Sequence, residues 1–430
     1  MKILLVNTYD RGGAANACIR LHEGLLREGI DSKLLVLHKS KEIKESYTFE
    51  VENKTSNTVT KLLRKIKHKI GYKLNLGFLK PSLSREALFL KNRQQGLELF
   101  SFPNSLHDIT ISSLYKEADV INLHWVAGFL DYESFFKKNK KPVIWTLHDM
   151  NPFTGGEHYI EDVHGITSQG KPFQRNVSDL ENYHSQINLN LKIRSLCNFD
   201  NLTIVSPSKW LQSEAKDSLL FNNRKVDLIP YGTDVELFKP RDLKYSRELF
   251  NIPLDKKVIL FVADSVKNHR KGYVYLKLAL EKLHRGDILL CSIGKAIPIL
   301  DSRVDAIHLG EIKDERMISA IYSLANVFVI PSLMDNLPNT VLESLLCGTP
   351  VIGFPTGGIP DMVAHAKNGL LTQAISVDSL KESVEIFLNN GVSSSREEIR
   401  EQAVLKYDQS VQAKKYIKLY QETMNKKHLS

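Results

Sequence analysis

Short runs of consecutive apolar residues recur along the chain, separated by helical patterns, and few segments alternate. Val327 to Ile330 is one such run, of a length suited to a strand buried on both faces. Pro331 and Ser332 end it. Pro338 is placed at a first helical position, opening a helix through Val341, Leu342, Leu345 and Leu346 that Gly348 stops. Pro350 follows, then a second buried strand, Val351 to Gly353, and a Gly-Gly turn at 357 and 358. The same reading applied elsewhere predicts strands at 3–6, 34–37, 119–124, 143–147, 203–205, 227–229, 258–262, 288–293 and 305–309. Helices are predicted over 14–29, ended by Gly29, near 315–325, and from about 396 to near the end, with Val411, Tyr416, Ile417 and Tyr420 on one side. Strands alternating with helices imply an α/β fold with parallel sheets. Residues 39–115 are polar, basic and without clean periodicity, and are expected to hold helices and an insertion.

At 430 residues the chain exceeds one ordinary core, and two or three domains are expected. Its 42% hydrophobic and 25% charged residues are those of a soluble globular protein. No apolar run approaches the ~18 residues of a membrane span, and MKILLVNTYD reads as a core strand rather than a signal peptide. Cys18, Cys197, Cys291 and Cys347 lie far apart without metal-ligand spacing, which argues for a reducing, cytoplasmic setting and against a structural zinc site. A formal charge of +9 admits nucleic acid, an anionic membrane or anionic substrates as partners. No interleaving of basic and aromatic residues supports nucleic acid. Between Lys61 and Lys73 there are six Lys/Arg and no acid, with Leu63, Ile66, Ile70 and Leu74 at helical spacing. That is the composition either of a helix on an anionic membrane surface or of a packed helix with a cationic outer face.

Candidate chemistry gathers at the carboxyl ends of the predicted strands, where open α/β sheets bind ligands. Asp335 lies on the loop and Glu343 on the second turn of the following helix, so a phosphate-bearing ligand near the helix N-terminus could meet both carboxylates. Equally, the two acids could be solvated residues flanking an ordinary crossover. Gly12-Gly13 at the first strand-to-helix junction allows close backbone approach. His124 and His148 each follow a strand. Arg270-Lys271-Gly272 opens a helix with two adjacent cations suited to a diphosphate, or simply to solvent. No two aspartates lie two positions apart, so no Asp-x-Asp metal pair is present.

The segment 327–361 resembles the donor-binding segment of family 4 glycosyltransferases of the GT-B fold. Their acid-x7-Glu pattern is matched by Asp335 and Glu343, their Gly-x-Pro-Val by Gly348 to Val351, and their Gly-Gly-x-Pro-acid by Gly357 to Asp361. Asp335 stands where Glu is commoner. Pro230 to Asp234 is similar to the family's Pro-x-Gly-x-Asp segment at the domain junction. His124 is similar to a histidine at the active-site edge. Lys271 aligns with the family lysine, while Ala263-Asp264 replaces Gly-Arg and leaves Arg270 to supply that charge. The run TLHDMNPFTGGEHY (146–159) resembles a subgroup making bacterial surface polysaccharides of the colanic acid, O-antigen or capsule type, with Glu157 in place of a cysteine.

The resemblance implies two Rossmann-like domains with parallel sheets facing across a central cleft. Residues 1–233 would take the acceptor, 234–407 a UDP- or GDP-sugar, and a helix at about 408–430 would pack back on the first domain. Glu343 would bind the ribose and Asp335 the sugar hydroxyls. Gly12 and Gly13 would face the donor phosphate and the acceptor, Asn336, Leu337, Asn339 and Thr340 would meet the sugar and phosphates, Arg270 and Lys271 would offset charge on the leaving diphosphate, and His124 would orient sugar or acceptor. The implied activity is retaining, metal-independent transfer to a glycan or polyprenyl-linked acceptor, with no cofactor, in the cytoplasm or on the inner face of the membrane. The alternatives are a catalytically silent nucleotide-sugar-binding partner of the same fold and an epimerase of related fold.

Overall fold

The computed structural model describes residues 1–50, 84–263, 268–283, 285–295, 297, 300 and 304–427. The basic segment 61–74 lies outside these residues.

Among the described residues the chain forms two parallel sheets. The first has seven strands in the order β3-β2-β1-β4-β5-β8-β9: β1 Lys2–Tyr9, β2 Asp31–His38, β3 Ser46–Thr48, β4 Val120–Leu123, β5 Val143–Thr146, β8 Leu202–Ser206 and β9 Val226–Leu228. The second has six, in the order β12-β11-β10-β13-β14-β15: β10 Lys257–Val262, β11 Ile288–Ile293, β12 Asp305–His308, β13 Val327–Ile330, β14 Val351–Gly353 and β15 Gly369–Leu371. Every neighbour pair within these sheets is parallel. The central strands are buried throughout because helices cover both faces, so they read as apolar runs rather than alternations.

In the first sheet β1 sits between β2 and β4; in the second β10 sits between β11 and β13. At each of these points the chain leaves in opposite directions, and the diverging loops open a crevice at the strand carboxyl ends. The loops after β1, β4 and β5 therefore face the same seam as those after β10 and β13.

Several boundaries differ from the pattern reading. Strand β1 continues through Asn7 and Thr8, because Thr8 N–H donates to Trp125 O at 2.8 Å beyond the apolar run. The first helix is Gly13–Arg27. Pro338 is extended (φ −64°, ψ 121°) and caps a helix that begins at Asn339, Asn339–Leu346. A hairpin of β6 (Val163–Ile166) and β7 (Pro172–Gln174) carries no apolar alternation and was invisible to it.

The terminal helical stretch is broken at Asp408, which is extended (φ −60°, ψ 135°) and pairs with Thr233. Thr233 N–H donates to Tyr407 O at 2.9 Å, and Gln409 N–H to Thr233 O at 3.0 Å. The helix Arg396–Tyr407 thus buries Ile399, Ala403 and Tyr407 in the second domain's core. The helix Gln409–Lys427 buries Ala413, Tyr416 and Tyr420 in the first. Tyr416 and Tyr420 reach under the sheet, to Thr146 Oγ1 (2.9 Å) and Asn122 Nδ2 (2.8 Å).

Candidate active site

The loop after β13 is held by glycine contacts that no other residue permits. A Cβ at Gly357 would lie 1.9 Å from Asp335 O, and one at Gly358 1.6 Å from Asn336 O. Gly272 (φ 67°) lies equally close to the same loop, its Cβ position 1.7 Å from Pro331 O. These approaches fix the backbone at 331–336 against the turn that precedes Tyr273.

Asp335 is buried on this loop. Lys271 Nζ lies 2.6 Å from its Oδ2 and Arg270 Nη1 3.5 Å away. Burial pushes the carboxyl upward, but Lys271 and then Arg270 outweigh it and hold Asp335 below the usual carboxylate range. Lys271 keeps a partly exposed side chain, 30%, so its ammonium can also meet an anion in the seam.

Arg270 does not stand free beside Lys271. Its Nε donates to Glu98 at 2.6 Å, its Nη1 to Met334 O at 2.7 Å, and its guanidinium lies over the Tyr159 ring at 4.3 Å. Glu98 and Tyr159 come from the first domain. Arg270 thus braces both the loop and the seam, while the neighbouring Lys271 keeps the more exposed side chain.

Glu343 projects from the second turn of Asn339–Leu346 into a buried ion pair. Arg20 Nη2, on Gly13–Arg27, donates to Glu343 Oε1 at 2.7 Å, and Tyr322 Oη donates to Oε2 at 3.2 Å. Arg20 also meets Glu315 at 3.0 Å. Burial outweighs Arg20 and leaves Glu343 above the usual range. Arg20 is charged yet lies in the buried register of an apolar helix, and that placement was its only sequence signal.

The remaining loop residues also reach across. Asn336 Oδ1 accepts from Ser208 Oγ at 2.6 Å, and its Nδ2 donates to His148 O at 3.1 Å. Asn339 Nδ2 donates to Gly13 O at 3.0 Å. Leu337 is buried in the second core, and Thr340 is half-buried. Gly12 (φ 92°) and Gly13 are exposed at the start of the first helix.

Opposite the loop, His124 Nδ1 lies 2.9 Å from His148 Nε2, and His148 Nδ1 lies 2.7 Å from Tyr231 Oη. Burial drives His124 well below the ordinary histidine range and His148 down to about 4, so both rings are neutral at pH 7. Asp149 accepts from Trp125 Nε1 at 2.7 Å and from His158 at 2.6 Å. Glu157, the departure from the subgroup pattern, joins Arg93, Arg175 and Glu181 in an ion network behind the hairpin. Among the described residues no three His, Cys, Asp or Glu side chains are grouped to hold a metal ion, and no helix is long and apolar enough to cross a membrane.

Two Rossmann-like domains meeting at such a seam are the GT-B architecture. Residues 244–405, most of the second domain, match the family model described as glycosyl transferases group 1. Similar solved structures include sucrose-phosphate synthase from Thermosynechococcus elongatus (TM-score 0.65, 18% identity, 98% of each chain covered). HepE from Anabaena, in complex with UDP and glucose, gives a TM-score of 0.63 at 16% identity, over 97% of this chain and 99% of that one. At these identities the likeness shows the fold. An uncharacterised glycosyltransferase of Methanocaldococcus jannaschii is 25% identical over 210 residues, 45% of this chain and 53% of the relative. A D-inositol 3-phosphate glycosyltransferase of Mycobacteroides abscessus is 23% identical over 184 residues, 40% and 41% of the two chains. The chain thus spans about half, or less, of the length of these curated relatives.

Proposed function

We propose that the protein transfers a sugar from a nucleotide-diphosphate donor to a hydroxyl of a glycan or polyprenyl-linked acceptor, with retention and without a metal. The observation that carries this reading is the Asp335–Lys271 pair, at the carboxyl ends of two central strands and opposite the histidines of the other domain. A leaving diphosphate needs its growing negative charge offset. Lys271 and the first N–H groups of Asn339–Leu346 supply that in a largely buried seam. Asp335, held ionised by Lys271, accepts hydrogen bonds from sugar hydroxyls, and Glu343 those of the ribose. The match over residues 244–405 and the UDP and glucose held by HepE support a nucleotide-sugar donor. Retention rests on the family resemblance.

A thermal-shift screen across UDP-, GDP-, ADP- and dTDP-sugars tests the reading, because a ligand bound only by the native state raises apparent stability. One nucleotide class should shift the transition, and transfer should survive EDTA with the anomeric configuration kept, as read by NMR. No shift with any nucleotide sugar would remove the proposal; activity restored only by manganese would remove its metal-free part, and an inverted product its stereochemical part.

The two carboxylates are expected to divide the donor between them. Asp335→Ala should lower turnover by about 100-fold while UDP or GDP still binds. Glu343→Gln should weaken that nucleotide by roughly tenfold. Calorimetry with the bare nucleotide separates them, and equal losses of affinity would abolish the division.

A further inference from the structure

Tyr231, His148 and His124 form an unbranched chain of hydrogen bonds at the end of the first sheet, 2.7 Å and 2.9 Å long. All three side chains are buried, at 5%, 7% and 2% exposure. The far end of the chain, His124 Nε2, is buried with no protein partner. His124 lines a small pocket with Phe102, Trp125, Asp149 and His158.

With both imidazoles neutral, each carries a single N–H, and only two proton arrangements fit the chain. In one, Tyr231 O–H donates to His148 Nδ1, His148 Nε2–H donates to His124 Nδ1, and His124 presents Nε2–H. In the other, every donor is reversed, His124 Nε2 is bare, and Tyr231 O–H must find another acceptor. Among the described residues the hydroxyl has no polar partner but His148, so the reversed arrangement strands a buried O–H. The first arrangement leaves one unmet donor, at the pocket.

Tyr231 is held rigidly enough to do this. The next residue, Gly232, donates its N–H to Gln412 Oε1 at 3.0 Å, and Thr233 pairs with Asp408 at the crossover to the last helix. A Cβ at Gly232 would lie 2.9 Å from Gln409 Cα, so the segment is packed directly on that crossover.

We infer that Tyr231 is a positioning residue: by donating to His148 it fixes His124 as the Nε2–H tautomer, a hydrogen-bond donor offered to a hydroxyl oxygen of the sugar. This rests on the reading of the seam as a nucleotide-sugar site, and it adds the polarity of the contact and the residue that sets it. A ligand oxygen meeting His124 satisfies the buried donor; an ammonium or a second N–H there does not.

The test is imidazole ¹⁵N NMR of the full chain with labelled histidine, assigned by single His→Gln variants. His124 and His148 should both appear as Nε2–H tautomers at pH 7.5. Tyr231→Phe leaves His148 Nδ1 unpaired and should give a mixture of tautomers at both rings, with turnover down about tenfold and donor KM little changed. A nucleotide sugar active in the thermal-shift screen should move the His124 Nε2 signal, and its bare nucleotide should not. His124 found as the Nδ1–H tautomer in the parent protein would overturn the inference, as would tautomers unaltered by Tyr231→Phe. If no nucleotide sugar moves any signal, the functional reading fails while the tautomer result stands.

Discussion

Replacing Arg20 by alanine should lower stability by about 3–5 kcal/mol, because it breaks a buried ion pair and leaves one buried charge uncompensated. Arg20 and Glu343 come from different domains, with side chains 6% and 10% exposed, and their 2.7 Å contact is the main offset to the carboxylate's burial. Removing the guanidinium leaves Glu343 charged, buried and held only by the Tyr322 hydroxyl. The carboxylate's escape is to take a proton, and this fixes the pH dependence. A carboxyl whose native pKa lies above its unfolded value binds protons in the native state first, so stability rises as pH falls through the native pKa. The deficit of Arg20→Ala should therefore be largest near pH 8 and shrink toward pH 5. Arg20→Ala combined with Glu343→Gln should recover most of the loss, because no uncompensated charge remains. Urea unfolding at both pH values measures each variant. A loss below about 1 kcal/mol, or one that does not change with pH, would show that the pair is not what holds this part of the seam.

The strands were legible because parallel strands covered on both faces are written as apolar runs, and Val327–Ile330 or Val143–Thr146 could hardly be anything else. The loop carrying Asp335 was legible for a different reason: proline, glycine pairs and acids stand in a fixed order, and the glycines prove to be demanded by backbone approaches under 2 Å. What stayed hidden is the seam itself. Arg20 meets Glu343 across 323 positions, Glu98 meets Arg270 across 172, and Ser208 meets Asn336 across 128. No local pattern encodes such pairs, nor does adjacency in sequence tell Arg270 from Lys271. Both lie near Asp335, but from their 3₁₀ turn, His269–Lys271, Arg270 also reaches Glu98 and Met334 O while Lys271 keeps the more exposed side chain. The crossover at Asp408 came from the resemblance, which placed a last helix at about 408–430, and not from the helical pattern, which runs on without a break from about 396. Asp408 caps the last helix, its Oδ1 accepting from Ser410 N–H at 2.8 Å, and its pairing with Thr233 turns the chain toward the first domain.

Mild acid should destabilise the protein through the buried histidines His124 and His148 at the seam and His22 on the first helix, before its paired aspartates begin to titrate. His148 has a native pKa of about 4 against an ordinary 6.5, and His124 lies well below the ordinary value, both because burial penalises the charged ring. At these positions the unfolded chain therefore takes up protons near pH 6.5 that the native state resists. Stability is fully present above that pH and falls as pH drops toward 4, since the unfolded state binds more protons throughout the window. For His148 alone the loss is roughly 2 kcal/mol by pH 5 and roughly 3 kcal/mol by pH 4. Asp149 and Asp335, held below the usual carboxylate range, contribute only at lower pH. Glu343, held above it, acts in the opposite direction within the window. The histidine part is thus read as a difference. Between pH 7 and pH 5, His148→Gln should lose about 2 kcal/mol less stability than the parent, a slope smaller by one proton, when urea midpoints are compared at constant m-value. Equal losses in parent and variant would mean that the His148 ring accepts its proton without unfolding, and that the chain from Tyr231 to His124 is open to solvent in the native state.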